Sequence, residues 1–297
     1  MVRKSTRLVV TIAGMSCASA WGTTPTAWSL WEPSAHGEST PVVEPPADGG
    51  WTISFEPAVW YAGMGGTLRM PGGGPMDVDE LGLDEPEPRA FGQIHLRKDR
   101  WRVSVGGFAG SRDGIVTADR DDSFAGIAFA AGDRLESSID LASFEVLGAY
   151  QLFGDRAFAR RFVGNRVVTQ LEVLGGARFS WLDVEFRAEE NSGTLLGRAR
   201  KEHIYGEPFA GLRWTLEAYN QFTVDLQATV GGMLLGDDAS IFSLEVLAGG
   251  TWRPMHNVGI KAGYRFLLHS FEDGEGSSKF EFDTYSAGLY GGVSVRF

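Results

Sequence analysis

From Trp51 to Phe297 the chain alternates apolar and polar residues over segments of about 9 to 20 residues, separated by connectors rich in Gly, Asp and Pro. A period of two is the side-chain repeat of a β-strand with two different faces, so each segment predicts a strand. Ten are predicted: 51–69, 89–98, 101–112, 136–153, 166–186, 201–216, 221–235, 240–253, 258–271 and 279–297. In the last, Tyr285, Ala287, Leu289, Gly291, Val293, Val295 and Phe297 share one face, and Ser286, Gly288, Tyr290, Gly292, Ser294 and Arg296 share the other. The ninth sets Val258, Ile260, Ala262, Tyr264, Phe266 and Leu268 against Lys261, Gly263, Arg265 and His269. The seventh sets Phe222, Val224, Leu226, Ala228 and Val230 against Thr223, Asp225, Gln227 and Thr229.

Strands with one oily and one wet face suit a barrel whose outside meets lipid and whose inside meets a lumen. Connector lengths agree, because short pieces (99–100, 218–220, 254–257) and one of middle length (154–165) alternate with an outer set, several of them acidic (70–88, 113–135, 187–200, 236–239, 272–278). The predicted fold class is all-β, a transmembrane antiparallel barrel of about ten strands, with eight or twelve as the neighbouring even counts. An unpaired edge in hydrocarbon costs several kcal/mol per group, so the first and last strands must pair. Aromatics at strand ends, Trp101, Tyr150, Trp181, Trp214, Phe222, Trp252 and Phe297, are placed to form interfacial girdles. The fourth and fifth strands lose regularity near Leu141 and Asp183, which predicts either a bulge or a projection beyond the bilayer.

Upstream of the strands, Arg3, Lys4 and Arg7 precede an apolar stretch from Leu8 to Met15 and then Ala18 and Ala20. Residues 1–20 therefore read as a cleavable signal peptide, too short to span as a helix. A rival reading makes Cys17 a lipidation site, although Gly14 stands where a branched apolar residue is usual. Residues 21–50, rich in Pro, Ser, Thr and Glu, read as a flexible periplasmic tether, and 51–297 as the barrel domain. Cys17 is the only cysteine, so a mature chain has neither disulfides nor thiolate metal sites. A formal charge of −11 with no basic run in the barrel argues against nucleic acid as a partner.

The C-terminal strand, alternating strictly from Tyr285 and ending on Phe297, resembles the last strand of bacterial outer-membrane β-barrel proteins. The resemblance implies residence in the outer membrane of a Gram-negative-type cell envelope with both termini periplasmic. It also makes Phe297 part of an insertion signal. The implied partners are outer-membrane lipid, lipopolysaccharide and the barrel-insertion machinery; a monomer without cofactor or metal is expected.

The lumen-facing residues carry the candidate chemistry. A short motif recurs at Glu145, Glu172 and Glu245, each followed by Val-Leu and small residues, with variants around Glu56 and Glu207. Parity points all five inward with Asp225, facing Arg102, Arg178, Arg213, Lys261 and Arg265, and also His95, Arg97 and Arg253. Unpaired charges in a narrow lumen are costly, so these groups must pair or stay wet. The first reading is a lattice that fills a barrel too narrow for an open pore. Inward glycines (Gly176, Gly211, Gly249, Gly263, Gly288, Gly292) either make room for Phe209 and Tyr290 or leave a thin water path. The second reading is accordingly a narrow, porin-like channel with a charged lumen. A third is a hydrolase like the omptin proteases or lipid A deacylases. His269 lies near Asp273, and Asp121 with Asp122 near the second long connector, but the omptin and His-x-Ser patterns are not met and catalysis is not expected. Acidic clusters at 77–80, 84–87 and 119–122 lack the spacing of a calcium loop and read as solvated loops. The expected function is that of a mostly occluded barrel with a structural or loop-mediated adhesive role.

Overall fold

A computed structural model describes residues 50–154, 167–219, 221–234, 236, 239–255 and 257–297. The expected signal peptide, nearly all of the tether and most of the connector after residue 154 lie outside the described residues. Thirteen strands are found among those described: β1 (Thr52–Arg69), β2 (Pro75–Asp77), β3 (Glu87–Lys98), β4 (Trp101–Thr117), β5 (Asp122–Phe124), β6 (Ile127–Phe129), β7 (Arg134–Gly154), β8 (Val167–Glu189), β9 (Leu195–Ala218), β10 (Phe222–Leu234), β11 (Ala239–Trp252), β12 (Val258–Asp273) and β13 (Phe280–Arg296). Ten of them, all but β2, β5 and β6, pair each with the next in an antiparallel sheet that closes through β1 and β13. Closure keeps one register from end to end, interrupted only at Glu56 and Pro57, with Ser54 opposite Arg296, Tyr61 opposite Leu289 and Arg69 opposite Glu281. The expected ten-stranded barrel is therefore the fold, and no strand edge is left open where β1 meets β13.

Alternation is realised as the sequence predicts. On β12, Ile260 and Tyr264 are exposed while Lys261 and Arg265 are buried, and on β13 Val293 is 41% exposed while Ser294 is 1% exposed. One aromatic rim of the exterior is made by Phe55, Trp101, Phe222, Trp252 and Phe297, near the short connectors. The other is made by Tyr61, Phe144, Trp181, Phe242 and Tyr285. Between the rims no outward position of the described strands carries a charge. Such a belt, flanked by aromatic rings, is the exterior of a barrel that spans a bilayer.

Two connectors expected as loops are largely strand. The segment 113–135 shares its residues with β4, the β5–β6 hairpin and β7, and the segment 187–200 closes in a tight turn between β8 and β9, where Glu190 N–H donates to Thr194 O. The irregularity near Leu141 and Asp183 is a projection and not a bulge: the β7–β8 register runs unbroken from Arg134 to Gln151. Alternation persists there while its polarity inverts. Below, β8 points Val173, Phe179 and Trp181 outward; above, it points Asp183, Glu185 and Arg187 outward and buries Leu182, Val184, Phe186 and Ala188. The projecting wall thus has an apolar inner face, and the long connectors cover it. Met70, Met76, Val78, Leu81 and Leu83 from the first, with Phe124 and Phe129 from the β5–β6 hairpin, join one core with Leu135, Ile139, Leu141 and Phe186. The acidic first connector is thus solvated only on its outer side, contrary to the sequence reading. Gly72, at φ 83°, lets it pass close against Gly126 of the hairpin, a conformation that L side chains rarely adopt.

Candidate functional site

The lumen has three levels, built by the inward positions of consecutive strands. At mid-height sits Arg178 of β8, fully buried. Its guanidinium donates to Glu145 of β7 at 3.3 Å, to Glu207 of β9 at 3.3 Å, to Ser243 of β11 at 3.1 Å and to Glu245 of β11. The Ser243 hydroxyl donates on to Glu207 at 2.6 Å, Gln93 donates to Glu145 at 3.2 Å, and Arg265 Nε donates to Glu245 at 2.8 Å. Arg265 is held from its other sides by rings: its guanidinium lies 4.7, 4.6 and 4.8 Å from the centroids of Trp60, Phe91 and Phe108. A desolvated guanidinium over several ring faces gains about 2 kcal/mol or more per contact at the upper end, which offsets part of its lost hydration. Trp60 and Phe108 themselves meet edge to face.

Toward the rim with the short connectors, here the turn end, Lys261 binds Glu56 at 2.6 Å and Ser294 donates to the same carboxylate at 3.1 Å. His95 Nε2 lies 3.6 Å from Glu56, and its Nδ1 is 2.7 Å from the Ser104 hydroxyl. Arg102 and Arg97 share Glu172 at 2.6 and 3.7 Å, and Asp225 accepts from the Thr215 hydroxyl at 2.8 Å. Arg253 donates to the Thr223 hydroxyl at 2.5 Å. The structure thus brings most of the predicted lumen residues into three groups, around Arg178, Glu56 and Glu172; Asp225 meets only Thr215, and Arg213 joins none of them. Glu172 is its direct cross-strand neighbour, but that carboxylate turns to Arg102.

Two of the inward glycine clusters make room for rings. A Cβ at Gly176 would lie 2.9 Å from the Phe209 ring, and one at Gly263 would lie 2.6 Å from the Tyr290 hydroxyl, which a Cβ at Gly249 would also meet. Phe209 lies under Arg178 at 5.2 Å, so the space these glycines leave is filled by aromatic volume. Sequence parity missed the contribution of Trp60, Phe91 and Phe108, although all three occupy inward positions of their strands; an aromatic at a wet-face position is the signal that was there to read.

At the other, loop end, the apolar core described above fills the lumen. His269 is not at the rim as the sequence suggested: it is buried, because β12 continues to Asp273 and the connectors rise beyond it. Asp273 instead lies 3.8 Å from His203 of β9. Asp121 accepts from the Ala131 N–H at 2.9 Å, and Asp122 from the Ser123 N–H at 2.8 Å and Arg120 at 3.2 Å; these contacts hold the exposed Asp122 carboxyl below its usual range. Arg120 also reaches Glu80 at 2.9 Å, tying the first connector to the hairpin.

No protein-family model matches the chain, and no curated protein matches its sequence. Solved structures do resemble it. Its fold is that of a transmembrane antiparallel β-barrel. The outer-membrane protease OmpT of Escherichia coli aligns over 83% of this chain and 97% of its own, at 11% identity and a TM-score of 0.47. The attachment invasion locus protein Ail of Yersinia pestis, bound to the heparin analogue sucrose octasulfate, aligns over 82% and 99%, at 10% identity and a TM-score of 0.32. Neisserial surface protein A aligns over 83% and 97%, at 14% identity and a TM-score of 0.29. At these values the likenesses say nothing about activity, and the barrel rests on this chain's own closed strand ladder.

Proposed function

We propose that this is an outer-membrane protein whose barrel is closed to solutes, with a structural or binding role exercised through its loop end. The observation that carries the reading is a lumen filled at two of its three levels. The Arg178 carboxylate cluster with the ring-held Arg265 closes mid-height, and the apolar core of the connectors closes the loop end. Ten strands give an interior little wider than side chains fill, far from the 16 to 18 of open porins. A solute crossing this lumen would have to break buried ion pairs and then part an apolar core. Against catalysis, the histidine first noted, His269, is buried while Asp273 meets His203, and Asp121 and Asp122 serve as contacts within their own connector, which Arg120 ties to Glu80 of the first.

The test is single-channel conductance of the refolded barrel in a planar bilayer, with Glu145→Gln, Glu172→Gln and Glu245→Gln alongside. A silent membrane containing demonstrably folded protein supports the closed reading. Discrete steps whose ion selectivity changes with those substitutions make it a charged narrow channel instead.

A further inference from the structure

Below the Arg178 cluster the lumen opens into a cavity of about 80 Å³ at the turn end, lined by Thr52, Ser54, Thr223 and Arg296 from strand termini and by charged groups above them. Six cations line it, Arg97, Arg102, Arg213, Arg253, Lys261 and Arg296, against three carboxylates, Glu56, Glu217 and Asp225. Several of these are engaged: Lys261 with Glu56, Arg102 and Arg97 with Glu172 behind the wall, and Asp225 with Thr215.

Arg213 is not. It is 6% exposed, its Nε–H has no acceptor, and among the described residues no carboxylate lies within ion-pair distance of it. Neither cross-strand neighbour meets it: Glu172 turns to Arg102, and the Gln227 side-chain oxygen accepts no hydrogen bond from Arg213 or any other described group. Arg253, equally buried, lines the same cavity; among the described residues its side chain has only the Thr223 hydroxyl as acceptor, and its Nε–H is unmatched. A buried guanidinium with open donors is costly unless an acceptor, preferably a negative one, comes to it. Guanidinium forks match tetrahedral or planar oxyanions in two parallel hydrogen bonds. One cavity water needs on the order of 10 to 15 Å³ by the same measure, so the space admits one such group with water beside it.

We propose that this cavity is a binding site for a single phosphate-class oxyanion, entering from the turn end and held by Arg213 and Arg253. It is independent of whether the loop end binds anything, because the Arg178 cluster and the apolar core lie between the two. The same group could arrive as free phosphate or as the headgroup of an anionic phospholipid.

The experiment titrates inorganic phosphate into the refolded barrel in zwitterionic nanodiscs, against chloride at equal ionic strength, by calorimetry. One saturable site is expected, weakened about tenfold or more by Arg213→Gln and by Arg253→Gln, as the loss of one charged hydrogen-bond donor predicts. Arg120→Gln, on the exposed hairpin, is expected to leave it unchanged. Heat-modified gel mobility establishes that each variant is folded, and either lumen variant suffices if the other fails to fold. Repeating the titration in nanodiscs containing phosphatidylglycerol separates the sources: an unchanged affinity assigns the free anion, and competition assigns the headgroup. Absence of saturable phosphate binding in zwitterionic lipid, or binding that survives both lumen substitutions, overturns the proposal.

Discussion

The lower and upper parts of strands β7, β8 and β9 have the same alternation and opposite chemistry. Near the turn end, β8 points Val173 and Phe179 outward and Glu172 and Arg178 inward; near the loop end it points Asp183 and Glu185 outward and Leu182, Val184 and Phe186 inward. β9 answers it outward, Arg200 meeting Asp183 at 2.5 Å and Arg198 meeting Glu185 at 2.7 Å. Below the inversion the solvent outside is hydrocarbon, so apolar groups belong outside and charges must satisfy one another within. Above it the solvent outside is water, and the ordinary rule of soluble proteins returns, with apolar groups inside. One closed sheet thus contains a membrane barrel and, continuous with it, the wall of a water-soluble core.

The largest expected effect breaks the lower part at its centre. Arg178→Met leaves Glu145 and Glu207 without their cation and is expected to cost about 3 to 5 kcal/mol, read as a shift in the urea midpoint of folding into vesicles. Phe186→Ala in the upper core is expected to cost about as much, 3 to 5 kcal/mol, but by cavity formation, so a smaller apolar ligand or Phe186→Leu should recover most of it, whereas no apolar replacement rescues Arg178 while the acids remain. Next comes the outer face: Val293→Arg is expected to cost about 2 to 4 kcal/mol because it sets a charge against lipid, while Ser294→Thr one residue away inside is expected to cost far less. Equal losses at both would contradict the assigned facing. The smallest effect is expected above the inversion, where Glu185→Gln on the wet outer wall should move the same midpoint by less than about 0.5 kcal/mol.

Strand count, register parity and the closing pair were all legible in the sequence, because a period of two survives whatever surrounds the strand. So were the inward charges. Their pairing was not, since it depends on side-chain reach across the lumen: Glu172 passes over its neighbour Arg213 to meet Arg102, which comes from β4. The space left by Gly249 and Gly263 for Tyr290 was readable as one of two alternatives, and the structure chooses the filled one. The apolar core at the loop end was hidden because Met70, Val78, Leu81 and Leu83 are scattered among Gly and Asp with no period. The visible trace of it was the polarity inversion at Leu141 and Asp183, which looked like irregularity because one environment was assumed for the whole strand.

The central claim is that β8 leaves the bilayer between Trp181 and Asp183, and single-cysteine labelling tests it most directly. With Cys17, the sole cysteine, replaced, cysteines are placed at outward positions 173, 175, 177, 183, 185 and 187 of the barrel in vesicles and exposed to a membrane-impermeant maleimide. Protection at the first three with rapid labelling at the last three is the predicted result; labelling that is uniform along β8, or reversed, would contradict the account.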